Sequence, residues 1–183
     1  MKEFNLGPEV VVSDPCYTIP TWCQAIVSNV LPGTYIPEVG YSDEGDWGMR
    51  VANLSATHKD FFDKPGLIEW SEHPAVIGVD SGQCGIFDKT YYRDDKRSES
   101  YGIDRMWEED WNEKDGDDWY QRMCTLTSSE EQCGSSPDGI VSSSGYGDGS
   151  YTLLVGKIED QVVAFQIVYI GSEEDDDDIE DDE

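Results

Sequence analysis

Along most of this chain, short apolar runs alternate with polar stretches and are cut by glycine, proline and acid. Strand side chains alternate faces with a period of two, so this pattern favours strands over long helices. "PEVVVSD" (8–14) reads as a strand that delivers an Asp14-Pro15 corner. "GTYIPEVGY" and "DWGMRVANLSATH" read as two strands joined by the acidic turn "SDEGD". "AVIGVDSGQCGIFD" (75–88) is two short runs around Asp80-Ser81-Gly82, a turn context. "DGIVSSS" and "SYTLLVGKIEDQVVAFQIVYI" supply three more strands, the last two joined at Glu159-Asp160. Val163, Phe165 and Ile167 alternate with Ala164, Gln166 and Val168, so both faces of the final strand carry apolar residues and a central position is expected.

Two segments break the pattern. Trp22, Ile26, Val27 and Val30 fall on one helical face behind Pro20, which predicts an N-terminal helix over 20–30. Between 89 and 118 the chain is polar and then rich in tryptophan and acid. Trp107 and Trp111 are four apart, as are Trp119 and Met123, which predicts short helices on either side of Asp115-Gly116. The sum is an α+β fold, mainly an antiparallel β sheet or sandwich, with an N-terminal helix and a helical insertion. One β-rich domain is expected over 1–172. The segment 173–183 has too few apolar residues to bury and is expected to be a disordered acidic tail.

Charge changes the picture more than composition does. Of 183 residues, 40 are Asp or Glu and 12 are Lys or Arg, for a net charge of −28. The tail holds ten of those acids, and the rest of the chain still carries about −18. Such a surface stays soluble and repels nucleic acid and anionic membranes, so direct nucleic-acid or membrane binding is not expected. A basic protein or a cation suits it. A surface serving solubility alone is the plain alternative. No apolar run approaches membrane-spanning length, and "MKEFNLGPEVVV" has no secretory pattern. The five cysteines are an odd count at irregular spacing and are expected to be reduced thiols of a cytoplasmic protein.

Three places end an apolar run at an acid among small residues: "VSDPCY" (Asp14), "VDSGQCGIFD" (Asp80 and Asp88) and "SGYGDGSY" (Asp148). Strand ends of one sheet often open on a common edge, so the four acids are a candidate ligand or metal edge. Asp148, between two glycines, is either a tight-turn residue bonding its own backbone or a carboxylate presented on an open loop. The second and third of these elements resemble the DUF4241 family of uncharacterised proteins. The resemblance leaves out the tryptophan-rich insert and the tail. It implies a β-rich fold and a phage or bacterial origin, and carries over no catalytic residue.

Specific chemistries find little footing. The cysteines and histidines lack zinc spacing, "DGDD" (115–118) lacks the pattern of a calcium loop, and no Gly-x-Ser-x-Gly occurs. No metal, cofactor or catalytic residue is therefore assigned. Cys16 beside Asp14, with His58 or His73 as base, is either a nucleophile or a buried structural cysteine, and the structural reading is favoured. Trp107, Glu108, Glu109, Asp110, Trp111, Asp117 and Asp118 are either core aromatics with their solvated flanks or an anchor-plus-charge surface for a basic partner. Glu173, Glu174, Asp175 and Asp176 open the tail and join that candidate partner-binding set. The leading expectation is a non-enzymatic, phage-encoded binding or inhibitor protein. It would act in the host cytoplasm, occupying the basic face of a host DNA-binding protein as a DNA mimic. The alternative is a small-molecule or metal-binding module, in one form hydrolytic, using Asp14, Asp80, Asp88 and Asp148.

Overall fold

The computed structural model describes residues 1–108 and 114–171. Among them are strands β1 (Phe4–Leu6), β2 (Val10–Ser13), β3 (Ala25–Val27), β4 (Gly33–Asp43), β5 (Met49–His58) and β6 (Glu69–Glu72). Then follow β7 (Ile77–Val79), β8 (Gln83–Asp88), the helices α1 (Asp95–Ser98) and α2 (Asp117–Thr127), and β9 (Cys133–Ser136). The series ends with β10 (Gly139–Ser143), β11 (Gly149–Ile158) and β12 (Gln161–Val168). One sheet runs β1-β4-β5-β12-β11-β6, with β7 also paired to β11; the other runs β3-β2-β8-β10-β9. Every pair within them is antiparallel.

The two sheets face each other across one core. Val10, Val12, Ile86 and Ile140 of the smaller sheet share it with Leu54, Leu153, Phe165 and Ile167 of the larger. Burying each such side chain stabilises the fold by about 1.5–3 kcal/mol before chain entropy is set against it. The strand period then explains a third layer. Next to inward Ile86 and Ile140 stand Phe87 and Val141, which must point to the other face of the smaller sheet. There they meet Trp119 and Met123 of α2. Trp119 packs edge-on against Phe87 and Tyr92, with ring centroids 5.0 Å away in both cases. With both faces covered, β8 is buried at every position.

α2 begins where Asp95 is placed to receive it. The Asp95 carboxylate accepts from the backbone N–H of Gly116 at 2.7 Å and of Trp119 at 2.8 Å. Two otherwise orphaned donors at the helix start are thereby satisfied, and Asp117 and Asp118 in the first turn suit the helix dipole. The predicted pairing of Trp119 with Met123 is the buried face of this helix. Trp107 and Glu108 lie outside any helix, and the remainder of the first predicted helix lies in 109–113, outside the described residues.

The N-terminal helix expected over 20–30 does not form. In its place is the strand β3, which pairs with β2 through Val10↔Val27 and Val12↔Ala25. Ala25 and Val27 point into the core, while Ile26 points out and Trp22 is 87% exposed. The four-residue spacing of Trp22, Ile26 and Val30 is a coincidence of sequence: only Val30 of the three is buried. The β-branched pair Ile26–Val27 found a strand partner, and pairing outweighed a weak helical pattern. The final strand is central as expected, since β12 lies between β5 and β11. Glu159-Asp160 makes the turn before it. No helix among the described residues is long and apolar enough to cross a membrane.

Candidate functional site

At one end of the sandwich, the end of β2, the turn between β7 and β8, and the loop before β11 converge. Asp14 organises them. It is fully buried, and its carboxylate accepts four hydrogen bonds. The donors are the backbone N–H groups of Cys16 (2.8 Å), Asp80 (2.8 Å) and Ser81 (2.7 Å), and the Ser81 hydroxyl (2.6 Å). A buried carboxylate so occupied is a brace, because each donor it satisfies would otherwise be left bare. Tyr92 reinforces it from below, donating to the carbonyls of Asp14 (3.2 Å) and Tyr17 (2.7 Å).

The braced turn presents Asp80, and the loop opposite presents Asp148. The Tyr17 hydroxyl donates to Asp80 Oδ2 at 2.5 Å, and Gly82 N–H donates to Asp148 Oδ1 at 3.0 Å. Asp148 therefore bonds a neighbouring loop and not its own turn. Gly145 and Gly147, at φ +55° and +111°, let the chain reverse there without the penalty a side chain would carry. Asp80 and Asp148 are both exposed, and neither has an ion-pair partner among the described residues. Between them lies a cleft of about 450 Å³, lined also by Tyr17, Trp22, Cys23, Val79 and Ser150. Trp22 is the most exposed large apolar side chain among the described residues, at 87%.

The acidic, aromatic character continues past the loop. Tyr146, next but one to Asp148, donates to Glu44 in the turn between β4 and β5, and Ser42 bonds the other oxygen of that carboxylate. Those two bonds hold the Glu44 carboxyl below its usual range, so it stays ionised. Trp47, in the same turn, is 70% exposed.

Of the four strand-end acids, Asp14, Asp80 and Asp148 come together and Asp88 does not. Asp80 precedes β8 and Asp88 ends it, and six residues of strand separate them by about 20 Å. Asp88 is buried, accepting from Gly7 N–H at 2.5 Å and Thr90 N–H at 2.7 Å. Among the described residues no three His, Cys, Asp or Glu side chains form a group able to hold a metal ion.

The candidate partner surface of the insert is arranged otherwise. Asp118 pairs with Arg105 at 2.8 Å, and Asp117 lies 3.7 Å from Arg93. Trp107 and Glu108 are exposed, while Trp119 is buried. Glu109, Asp110 and Trp111, with Glu173, Glu174, Asp175 and Asp176, lie outside the described residues. Sequence reasoning missed Trp22, because assigning it to a helix hid it, and Tyr17 and Trp47. The available signal was a tryptophan in a short Pro/Thr-flanked connection with no apolar neighbour two residues away.

Cys16 does not have the surroundings of a nucleophile. Burial first, then the Asp14 hydrogen bond and the charges of Asp14 and Asp80, push its thiol from 9.0 to about 12. Neither histidine bonds it: His58 Nδ1 accepts from Asp60 N–H at 3.2 Å, and His73 Nδ1 from Ala75 N–H at 3.1 Å.

The fold and this end define a three-layer β-sandwich protein with an open, acidic, aromatic-flanked cleft. The chain belongs to the DUF4241 family, described as a protein of unknown function, which it matches over residues 68–167. No curated protein and no solved structure matches the chain. The matched segment runs through the helical insert and takes in β6 to β11 and nearly all of β12. It therefore supplies one contiguous half of each sheet: β12-β11-β6 with β7, and β8-β10-β9. Residues before it add β1-β4-β5 and β3-β2. The cleft is built across that seam, with Asp80 and Asp148 from the matched half and Tyr17 and Trp22 from the other, where buried Asp14 also braces the Asp80 turn.

Proposed function

We propose that this chain is a non-enzymatic acidic binding protein that occupies a basic surface of a partner protein. The observation that carries the reading is the pair Asp80 and Asp148, exposed with no cationic partner among the described residues, beside an almost fully exposed tryptophan. Aromatic anchors beside unpaired charge are the composition of energetic centres in protein interfaces. The overall charge of −28 matches the working face of a nucleic-acid-binding protein. In its specific form the reading is a phage-encoded, DNA-mimic-like inhibitor acting in a host cytoplasm. Full-length protein should retain a basic DNA-binding protein from bacterial lysate, release it at high salt, and displace DNA from it once purified. The 1–172 truncation should bind more slowly and more weakly, because exposed charge mainly adds steering. If no basic protein is retained at low salt, the reading is wrong.

The 450 Å³ cleft favours a second reading, a module for a small ligand. Asp14 is taken up by backbone donors and Asp88 is remote, so it would rest on two carboxylates. Under that reading Asp80→Ala with Asp148→Ala abolishes function and removal of 173–183 leaves it intact.

A further inference from the structure

We infer that the cleft between Trp22 and the Asp80–Asp148 pair is a receptor for one arginine side chain of the partner, an assignment that rests on the binding reading above. Each carboxylate is held by one oxygen only. Tyr17 fixes Asp80 through Oδ2 and Gly82 fixes Asp148 through Oδ1. Asp80 Oδ1 and Asp148 Oδ2 accept no hydrogen bond from any described residue. Both carboxylates line the same cleft from separate loops, each loop fastened at its base. Asp14 holds the Asp80 turn through backbone N–H groups. Tyr151 holds the Asp148 loop through the carbonyls of Ser144 (2.9 Å) and Gly147 (2.6 Å).

The rest of the lining selects among cations. Trp22 stands at the rim, and Cys23, Gly78 and Val79 give the cleft an apolar wall. Gly78 has no room for a side chain, because a Cβ there would lie 2.8 Å from Cys23 Sγ. A guanidinium is planar, stacks on an indole face and directs its donors in a fork that can reach two acceptors at once. Its methylene stem suits the apolar wall. An ammonium offers a point charge, keeps its water more tightly and uses the two separated acceptors less well. A bare metal ion would gain nothing from the indole or the wall. The chemistry of the lining therefore favours arginine over lysine.

The test uses isotope-labelled full-length protein titrated with a tetra-arginine peptide and, separately, a tetra-lysine peptide, followed by NMR. The expected result is a saturable shift of the Trp22 indole N–H and of the Asp80, Asp148 and Gly149 amides, with the arginine peptide binding more tightly. Trp22→Ala should weaken that peptide about fivefold. The Asp80→Asn, Asp148→Asn double variant should weaken it about tenfold, with its amide spectrum confirming the fold. Glu159→Gln, on a hairpin turn outside the cleft, should leave affinity unchanged. An unmoved Trp22 signal, equal affinity for the two peptides, or full affinity in Trp22→Ala would overturn the assignment. If the cleft fails in this way while the chain still displaces DNA from a basic protein, the binding reading survives without it. If the peptide fills the cleft but no basic protein is retained, it is the binding reading that falls.

Discussion

The helix-covered face and the open end of the sandwich are both rich in acids and aromatic rings, yet they use them in opposite ways. Under α2 the rings are interior: Trp119 is 2% exposed and meets Phe87 and Tyr92 edge-on. The acids there are committed. Asp138 receives Arg97 through two bonds, at 2.8 and 2.9 Å, and the Tyr101 hydroxyl at 2.9 Å. Asp95 caps α2, and Asp118 pairs with Arg105. The match is not complete, since Arg93 Nε and Asp117 Oδ2 are buried without a hydrogen bond. At the open end, Trp22 and Trp47 are in solvent, and among the described residues Asp80 and Asp148 each have one oxygen without a hydrogen bond. An acid count alone does not separate a face whose charges are committed to the fold from one whose charges are left in solvent. What separates them is whether each charge already has a partner.

The comparison can be broken most directly at its two tryptophans. Trp119→Ala should lower unfolding free energy by about 4 kcal/mol, because it empties the space between α2 and the smaller sheet. Trp22→Ala should change it by less than about 0.5 kcal/mol while weakening partner binding. Urea denaturation of the two variants measures both, and a large loss in Trp22→Ala would mean that its exposure has been misjudged.

The next contrast lies between acids. Asp14→Ala leaves the part-buried N–H groups of Cys16, Asp80 and Ser81 without their acceptor and should remove about 2–3 kcal/mol of stability. It should also weaken arginine-peptide binding, since the turn that carries Asp80 loses its brace. Asp148→Asn should cost little stability, because Oδ1 is still present to accept from Gly82.

The smallest effect concerns Cys16, the one cysteine of the five that is not buried. Its folded thiol is raised from 9.0 to about 12, so the folded state favours the protonated form. That contribution to stability is fully present below pH 9.0 and is lost as pH climbs toward about 12. Accordingly, alkylation of native protein by iodoacetamide should be slow at pH 8 and still accelerating above about pH 10, where an ordinary thiol is levelling off. A plateau near pH 10 would show that burial, with Asp14 and Asp80, does not govern this sulfur.

Much of the sandwich was legible because its interior strands carry β-branched runs. β2, β8, β10, β11 and β12 all announce themselves by apolar residues bounded by Gly, Asp or Pro. The strands that hid are those on sheet edges. β6 is Glu-Trp-Ser-Glu, exposed throughout, and β9 is Cys-Gly-Ser-Ser. Edge strands are short and polar in order to discourage pairing with other chains, so they withhold the signal that sequence reading needs. The meeting of Asp14, Asp80 and Asp148 was readable from their place at strand ends, whereas the exclusion of Asp88 required strand direction. Trp22 was hidden by a competing helical period, and only the pairing of β3 with β2 shows that it faces outward.

The position of β12 bears on how the chain is made. Last of the described strands in sequence, it is the join between β1-β4-β5 and β11-β6 in the larger sheet. Until residues 161–168 leave the ribosome, that sheet is two unconnected pieces, each with an open edge. Synthesis delivers residues at about 5–20 per second, so those edges wait for seconds. The acids scattered along the nascent chain repel like chains on one polysome until the closing strand arrives.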